Sequence, residues 1–245
     1  MKKIIWVDVG THIAQEYKSA FGSELSFLKI ILRGFFGSII YRRGDFIGFK
    51  NVYLLLLNRK KLNLIKSQFR FAFVEANSQL IRSREYRHAS DIFCLALADR
   101  SEINFEINRL YHANYDSKSQ GSSIYLEKNN ISPSEFTLCP VVSADAFAKS
   151  YKVFLVSTYK DYEVILRINC EGSEDSVIYA FTENFGDKFN LILGSLKDVR
   201  GVKGDVAYSK LMNHIKRYDI QHIKFSADVN TWQDAHKALL KIASH

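Results

Sequence analysis

Proline, cysteine and long apolar runs are all scarce in this chain of 245 residues. With only two prolines, no proline-rich linker or tail is expected. The three cysteines are widely spaced and form no Cys-x-x-Cys pair, which argues against a disulfide framework or a zinc site and favours reduced thiols in a cytoplasmic protein. The longest apolar runs, such as residues 52–57, are far shorter than the roughly 20 residues that a membrane-spanning helix needs.

The amino terminus also lacks the pattern of a secretory signal. After Met-Lys-Lys, the apolar stretch ends at Asp8, whereas a signal peptide needs about 7–15 apolar residues in a row. We therefore expect residues 4–9 to form a first β-strand.

The positive charge is concentrated in one part of the chain. Residues 22–70 contain ten basic and two acidic residues, a balance of +8 that equals the net charge of the whole chain. Such a segment indicates either a basic face that meets an anionic partner or a solvated helical face. Basic and aromatic residues alternate within it, a mixture that suits nucleic acid, a membrane surface or an additional helical subdomain; they are Phe35, Phe36, Tyr41, Arg42, Arg43, Phe46, Phe49, Lys50 and Tyr53.

Apolar β-branched runs alternate with segments of helical spacing over most of the sequence. The predicted strands are residues 4–9, 69–75, 92–97, 103–107, 137–143, 163–170, 189–195 and 223–227. The predicted helices are residues 11–21, 78–83, 144–151, 173–185, 207–218 and 232–242, with a polar loop at 108–123. This order predicts a single α/β domain over residues 1–245, with a mostly parallel sheet, helices on both faces and a helical basic insertion at 22–68.

Three predicted strand ends carry groups that suit a ligand, because α/β sheets bind ligands at the carboxyl ends of their strands. Gly10 permits a tight turn into a helix, whose free N–H groups suit a carboxylate or a phosphate, although an ordinary turn would look the same. Glu75 can accept hydrogen bonds from ribose hydroxyls or can be a solvated loop residue. Glu171 lies at the edge of the expected cleft, while Glu174 falls where a first helical turn favours an acid.

Five segments, in the same order, resemble motifs of the FkbM-like methyltransferases. Residues 7–15 read Val-Asp-Val-Gly-Thr-His-Ile-Ala-Gln, close to the family's Val-Asp-Val-Gly-Ala-Asn-Ile-Gly-Gln. Residues 73–77 resemble its Phe-Glu-Pro-Asn, residues 96–99 its Ala-Leu-Ser-Asp, and residues 143–145 its Thr-Leu-Asp. Residues 167–174 resemble its Lys-Ile-Asp-Val-Glu-Gly-Ala-Glu.

The resemblance implies a Rossmann-like sheet of seven strands with the last strand antiparallel. It also implies transfer of a methyl group from S-adenosylmethionine, usually to an oxygen of a glycan or another polar small molecule. Asp8 and Gly10 would contact the methionine end of the cofactor, and Glu75 its ribose. The cofactor site as a whole would contain Asp8, Gly10, Thr11, His12, Glu75, Ala76, Asp91, Ala96 and Asn169.

The acceptor would be flanked by Glu171 and Asp145, which with His12 are the candidate catalytic residues because a neutral hydroxyl needs a base. Arg167 and Asn169 replace the family's Lys and Asp, and neither an arginine nor an amide acts as a general base. Two functions stay open: an active O-methyltransferase, and an inactive protein of the same fold whose basic insertion binds nucleic acid, a membrane surface or a protein.

Overall fold

A computed structural model of the chain describes residues 2–25, 27–29, 31–32, 49–99, 105–113, 121–226 and 228–244. The sequence predicts one domain, and the structure groups the chain into two compact units. The first unit comprises Met1–Ile13 and Arg70–His222, and the second comprises Ala14–Phe69 and Ile223–His245.

Strands and helices alternate over much of the described chain, except between Asp91 and Ser143, where four strands follow one another. The described strands are β1 (Lys3–Val9), β2 (Phe69–Val74), β3 (Asp91–Phe93), β4 (Ala96–Ala98), β5 (Phe105–Ala113), β6 (Ile131–Ser143), β7 (Tyr162–Ile168), β8 (Phe189–Gly194) and β9 (Gln221–Ile223). The described helices are α1 (Gln15–Phe21), α2 (Phe49–Leu64), α3 (Ser78–Ile81), α4 (Ala144–Thr158), α5 (Glu174–Phe185), α6 (Lys197–Arg217) and α7 (Trp232–Ile242).

A six-stranded parallel sheet has the strand order β3-β2-β1-β7-β8-β9. Strands β1, β7 and β8 are buried along almost their whole length, which explains why they read as continuous apolar runs. The prediction of an α/β fold is therefore confirmed. The family resemblance implies seven strands, whereas this sheet has six among the described residues.

A second, mixed sheet has the order β4-β6-β5, with β4 parallel and β5 antiparallel to β6. Two of its strands are longer than predicted: β6 has 13 residues, and β5 reaches Ala113, so the predicted loop is wrong at residues 108–113. The usual apolar–polar alternation does not mark β5, because apolar Phe105 and Ile107 are exposed while polar Glu106 and Asn108 lie at the more buried positions. The remaining central part of that loop, residues 114–120, lies outside the described residues.

Two predicted helices are longer in the structure. Helix α4 continues seven residues past the predicted end, to Thr158. Helix α6 begins at Lys197, whereas the sequence predicts a helix that begins at residue 207. The helix contains a break at Gly204, whose φ of 83° is not helical. Gly204 therefore hid a first helical segment from a prediction based on periodicity.

The second unit contains α1, α2 and α7. Helix α2 packs against α7 and α1 through buried Leu55 and Leu62, and the buried Arg59 guanidinium lies 4.6 Å from the centre of the Phe27 ring. The predicted helical insertion thus includes one helix of 16 residues. Residues 33–48, with Phe35, Phe36, Tyr41, Arg42, Arg43 and Phe46, lie outside the described residues.

None of the described helices combines the length and the apolar character that crossing a membrane requires. This agrees with the short apolar runs in the sequence.

The core of the first unit gives a direct test of this fold. Phe181 is fully buried, and its ring centroid lies 5.2 Å from that of Phe185 and 5.8 Å from that of Phe189. Phe181→Ala should lower the free energy of unfolding by about 3–5 kcal/mol, because it removes buried contacts and leaves a cavity. Val206→Ala, at a side chain that is 70% exposed, should change it by less than about 0.5 kcal/mol. Urea unfolding followed by circular dichroism measures both; equal effects would contradict the packing.

Candidate functional site

The order of the larger sheet reverses direction between β1 and β7. From β1 the chain adds β2 and β3 on one side, and then β7, β8 and β9 on the other. In open parallel sheets, this reversal opens a crevice at the carboxyl ends of the central strands. The predicted groups come after those ends: Gly10 follows β1, Glu75 follows β2, and Glu171 lies three residues after the end of β7, which Asn169 follows directly.

Backbone hydrogen bonds join the three strand ends. The Gly10 N–H donates to the Val74 carbonyl at 2.9 Å, and the Asn169 N–H donates to the Val9 carbonyl at 3.0 Å. The ends of β1, β2 and β7 therefore meet at one edge of the sheet.

Gly10 is required by a close backbone approach. Its φ is +71°, and a Cβ at this position would lie 2.1 Å from the Asn169 carbonyl oxygen. The sequence suggests that glycine lets a ligand approach, whereas the structure shows that it lets the chain after β7 approach. Any side chain here would push the ends of β1 and β7 apart.

Arg167 and Asp8 form a buried ion pair beside this turn. Arg167 Nη1 lies 2.9 Å from Asp8 Oδ1 and also donates to the Gly10 carbonyl at 2.7 Å. The two side chains are 4% and 0% exposed. Arg167 thus holds the Asp8 carboxylate and the Gly10 turn together.

Glu75 fixes the loop after β1. Its Oε2 accepts from the His12 N–H at 2.7 Å, and its Oε1 accepts from the Asn77 N–H at 2.8 Å. Burial raises the pKa of Glu75, and the two backbone N–H donors oppose that rise. An ionised carboxylate has about four acceptor positions, so both oxygens keep capacity for hydroxyl donors.

The loop that Glu75 holds is shaped by further hydrogen bonds. Thr11 Oγ1 donates to the Asp8 carbonyl at 2.7 Å, and Tyr86 Oη donates to the His12 carbonyl at 2.8 Å. His12 contributes both its backbone N–H and its carbonyl to this network and adopts a positive φ of 51°. Thr11 and His12 therefore belong to one hydrogen-bonded loop beside Glu75.

Asn77 leaves one buried donor beside Glu75. Its Oδ1 accepts from the Gln79 N–H at 3.0 Å, while its Nδ2 has no hydrogen-bond partner among the described residues. The residue is 2% exposed. A buried donor without an acceptor costs roughly 1–3 kcal/mol, so a ligand oxygen at this position would be stabilising.

Glu171 lies in a charged group after β7. Asn169 Nδ2 donates to its Oε1 at 3.2 Å, and Lys128 forms an ion pair with its Oε2. Burial and then the Asp198 carboxyl raise the pKa of Glu171, while Lys128 opposes the rise. Glu171 has a positive φ of 60°, and its carbonyl accepts from Ser123 Oγ at 2.8 Å.

Lys128 was not predicted from the sequence, because it comes from the distant segment that precedes β6 and no motif marks it. Asp198 belongs to the segment after β8, which α/β topology brings to the same edge as β7. The position of Asp198 could thus be found from strand order, whereas that of Lys128 could not.

Glu174 supports the turn that carries Glu171. Its carboxylate accepts from the N–H groups of Glu171 at 2.8 Å and Gly172 at 2.9 Å, the capping role expected from its place in the first turn of α5. Burial raises the pKa of Glu174 to about 7. Next to it, Lys203 Nζ lies 2.6 Å from Asp175 Oδ1.

The structure separates Asp145 from Glu171. Asp145 is exposed and accepts from Asn184 Nδ2 at 2.8 Å, near the end of α5. Asn184 lies ten residues beyond Glu174, about 15 Å along the helix axis, whereas Glu171 precedes the start of that helix. Asp145 is therefore not brought into the group around Glu171.

Asp91 is held in a structural ion pair. Arg70 donates to both of its carboxylate oxygens, at 2.7 and 2.5 Å, and Tyr151 Oη donates at 2.8 Å. Asp91 begins β3 instead of ending it, so this carboxylate is not at the carboxyl edge. Ala76 and Ala96, by contrast, pack against one small core cluster of Ala98, Leu110, Cys139 and Val141.

Fold and site together define an α/β protein with acidic groups at the carboxyl edge of a parallel sheet. Searches against protein-family models, curated proteins and solved structures find no match to this chain. Among the described residues, no three or more His, Cys, Asp or Glu side chains are grouped so that they could hold a metal ion. What the site can do follows from its own geometry.

The buried ion pair should be a major determinant of stability. Arg167→Leu should lower the free energy of unfolding by about 3–5 kcal/mol, because it leaves the Asp8 charge buried without its guanidinium. Lys188→Leu, which removes the exposed Lys188–Asp161 pair, should cost less than about 1 kcal/mol. Urea unfolding at pH 7 compares the two variants, and similar losses would show that the buried pair has no special role.

The raised pKa of Glu174 predicts a pH dependence of stability. Between its ordinary value of 4.5 and about 7, the folded state keeps a proton that the unfolded state releases. The contribution of the Glu174 proton to the free energy of unfolding is therefore at its maximum below pH 4.5 and is lost as pH rises through 7. Relative to Glu174→Gln, the wild type should lose free energy of unfolding across that interval, measured by urea titrations. Glu183→Gln, an exposed change on α5, is the control, and a constant difference between wild type and Glu174→Gln would refute the prediction.

Proposed function

We propose that this chain is an S-adenosylmethionine-dependent methyltransferase with a Rossmann-like fold, acting in the cytoplasm on a hydroxyl of a glycan or another polar small molecule. The main support is the meeting of Gly10, Glu75 and Asn169 at the point where the strand order reverses. The resemblance of five ordered motifs to FkbM-like methyltransferases gives the reaction class.

The described residues fit the proposed cofactor at two points. Glu75, buried at the end of β2, keeps acceptor capacity for the two hydroxyls of a ribose. Asn77 Nδ2, a buried donor without a partner, suits an oxygen of the same sugar. The cofactor would supply a methyl group on a positively charged sulfur, so that the protein mainly has to position the acceptor and remove its proton.

Glu171 is the best candidate for the base that removes this proton. It is a carboxylate at the carboxyl edge of the sheet, and burial raises its pKa, which makes it a stronger base than an exposed glutamate. Glu171 would take up the hydroxyl proton as the acceptor oxygen bonds to the methyl carbon, while the methyl–sulfur bond breaks and S-adenosylhomocysteine is released. Asn169 orients the carboxylate by donating to Oε1.

A second candidate function is binding without catalysis. The family's Lys and Asp are replaced by Arg167, whose Nη1 donates to Asp8 and to the Gly10 carbonyl, and by Asn169. Lys128 also forms an ion pair with Glu171, the proposed base. This ion pair must open, or keep only one carboxylate oxygen, before Glu171 can accept a proton. In this alternative, the fold binds the cofactor or an anionic partner and transfers nothing.

Cofactor binding and transfer can be tested separately with the full chain. Isothermal titration with S-adenosylmethionine and S-adenosylhomocysteine should show binding that weakens about tenfold or more in Glu75→Ala, because ribose acceptors are lost. Glu183→Ala, an exposed carboxylate on α5, should bind like the wild type. Glu171→Gln should keep cofactor affinity but lose methyl transfer to a panel of hydroxyl acceptors by a factor of about 10²–10⁴.

The outcomes distinguish the two candidate functions. Wild-type binding without transfer to any acceptor would favour the binding protein. The absence of binding to either cofactor form would overturn both the site and the reaction class.

A further inference from the structure

Helix α2 has an apolar face on the side that faces water. Its side chains at positions 53, 56, 57, 60, 61 and 64 follow helical spacing and lie on one side of the helix. We call this the outer face of α2; it consists of Tyr53, Leu56, Leu57, Lys60, Lys61 and Leu64. Its four apolar side chains are 62%, 45%, 38% and 77% exposed, in the order of the chain.

The outer face of α2 is not the side of the helix that packs into the core of this unit. The opposite side of α2 is already packed, with Leu55 and Leu62 buried to 1% and 0% exposure and Arg59 beside them at 2%. A helix at a protein surface normally has one apolar side and one polar side. Helix α2 has two apolar sides, so the outer face indicates an interaction beyond the fold of this unit.

Charge limits which partner fits the outer face. Lys60 and Lys61 are exposed among its leucines, and residues 49–64 contain four basic residues and no acidic residue. A suitable partner is therefore both anionic and able to accept aliphatic side chains. The phosphates of a nucleic acid would pair with the lysines but would not bury the three leucines, because nucleic acid is bound mainly through phosphate contacts and aromatic stacking.

A membrane surface with anionic lipids matches both properties. Leucine and tyrosine side chains of an interfacial helix insert between headgroups, while lysines extend to the anionic headgroups. Leu25, Leu28 and Leu32, in the same unit, are also 73%, 51% and 43% exposed. We propose that the outer face of α2 docks this protein onto an anionic lipid surface.

Vesicle sedimentation with the full chain tests this proposal. The wild type should pellet with vesicles of equal parts phosphatidylglycerol and phosphatidylcholine, and much less with pure phosphatidylcholine. Leu57→Gln with Leu64→Gln should reduce the bound fraction about tenfold, because the inserted apolar area is lost. Lys60→Gln with Lys61→Gln should reduce it by a similar factor, and added salt should weaken wild-type binding.

Helix α4 provides matched controls, since it has exposed residues of the same types. Val153→Gln with Val156→Gln, and Lys149→Gln with Lys152→Gln, should leave vesicle binding unchanged. All the substituted side chains are exposed, so thermal melts should confirm that each variant folds.

Several results would overturn the proposal. Vesicle binding that survives both α2 pairs, or that falls equally with the α4 pairs, would place the contact elsewhere. Binding to oligonucleotides but not to vesicles would assign the basic surface to nucleic acid. Self-association that the leucine variants abolish, measured by light scattering without vesicle binding, would assign the outer face to a second copy of the chain.

Discussion

The carboxyl edge of the sheet depends on one buried ion pair. Asp8 and Arg167 face each other across the parallel strands β1 and β7, so their bond fixes the register where the strand order reverses. Burying two charges is costly unless further hydrogen bonds compensate. Arg167 provides one of them by donating also to the Gly10 carbonyl, which a lysine could not do with the same fixed geometry.

The rest of the site follows from that constraint. Because Gly10 is held against the chain after β7, the loop of Thr11 and His12 lies where the Glu75 carboxylate can accept from it. The same contact fixes Asn169, whose side chain orients Glu171. Arg167 therefore maintains the architecture of this edge, and the Asn169 amide orients the Glu171 carboxylate.

The sequence alone predicts those parts of the fold that the local apolar pattern and the topology of a parallel sheet both determine. Buried strands such as β7 read as apolar runs, and the carboxyl ends of parallel strands must share an edge, so Gly10, Glu75 and Asn169 could be placed together. Long-range contacts could not be predicted from one sequence. Nothing local marks Lys128 as the partner of Glu171, or Arg70 as the partner that holds Asp91 at the start of β3.

The sequence concentrates the positive charge in residues 22–70, and the structure adds an acidic group around Glu171. Around Glu171, the group of Glu174, Asp175 and Asp198 contains more carboxyls than the two lysines that pair within it, Lys128 and Lys203. Under the proposed function, such an edge would suit a neutral hydroxyl acceptor better than an anionic one. The basic residues of α2 belong to the other unit. The two proposals therefore assign opposite charges to different tasks: the lysines of α2 would meet anionic lipid, and the carboxyl edge would hold a neutral acceptor.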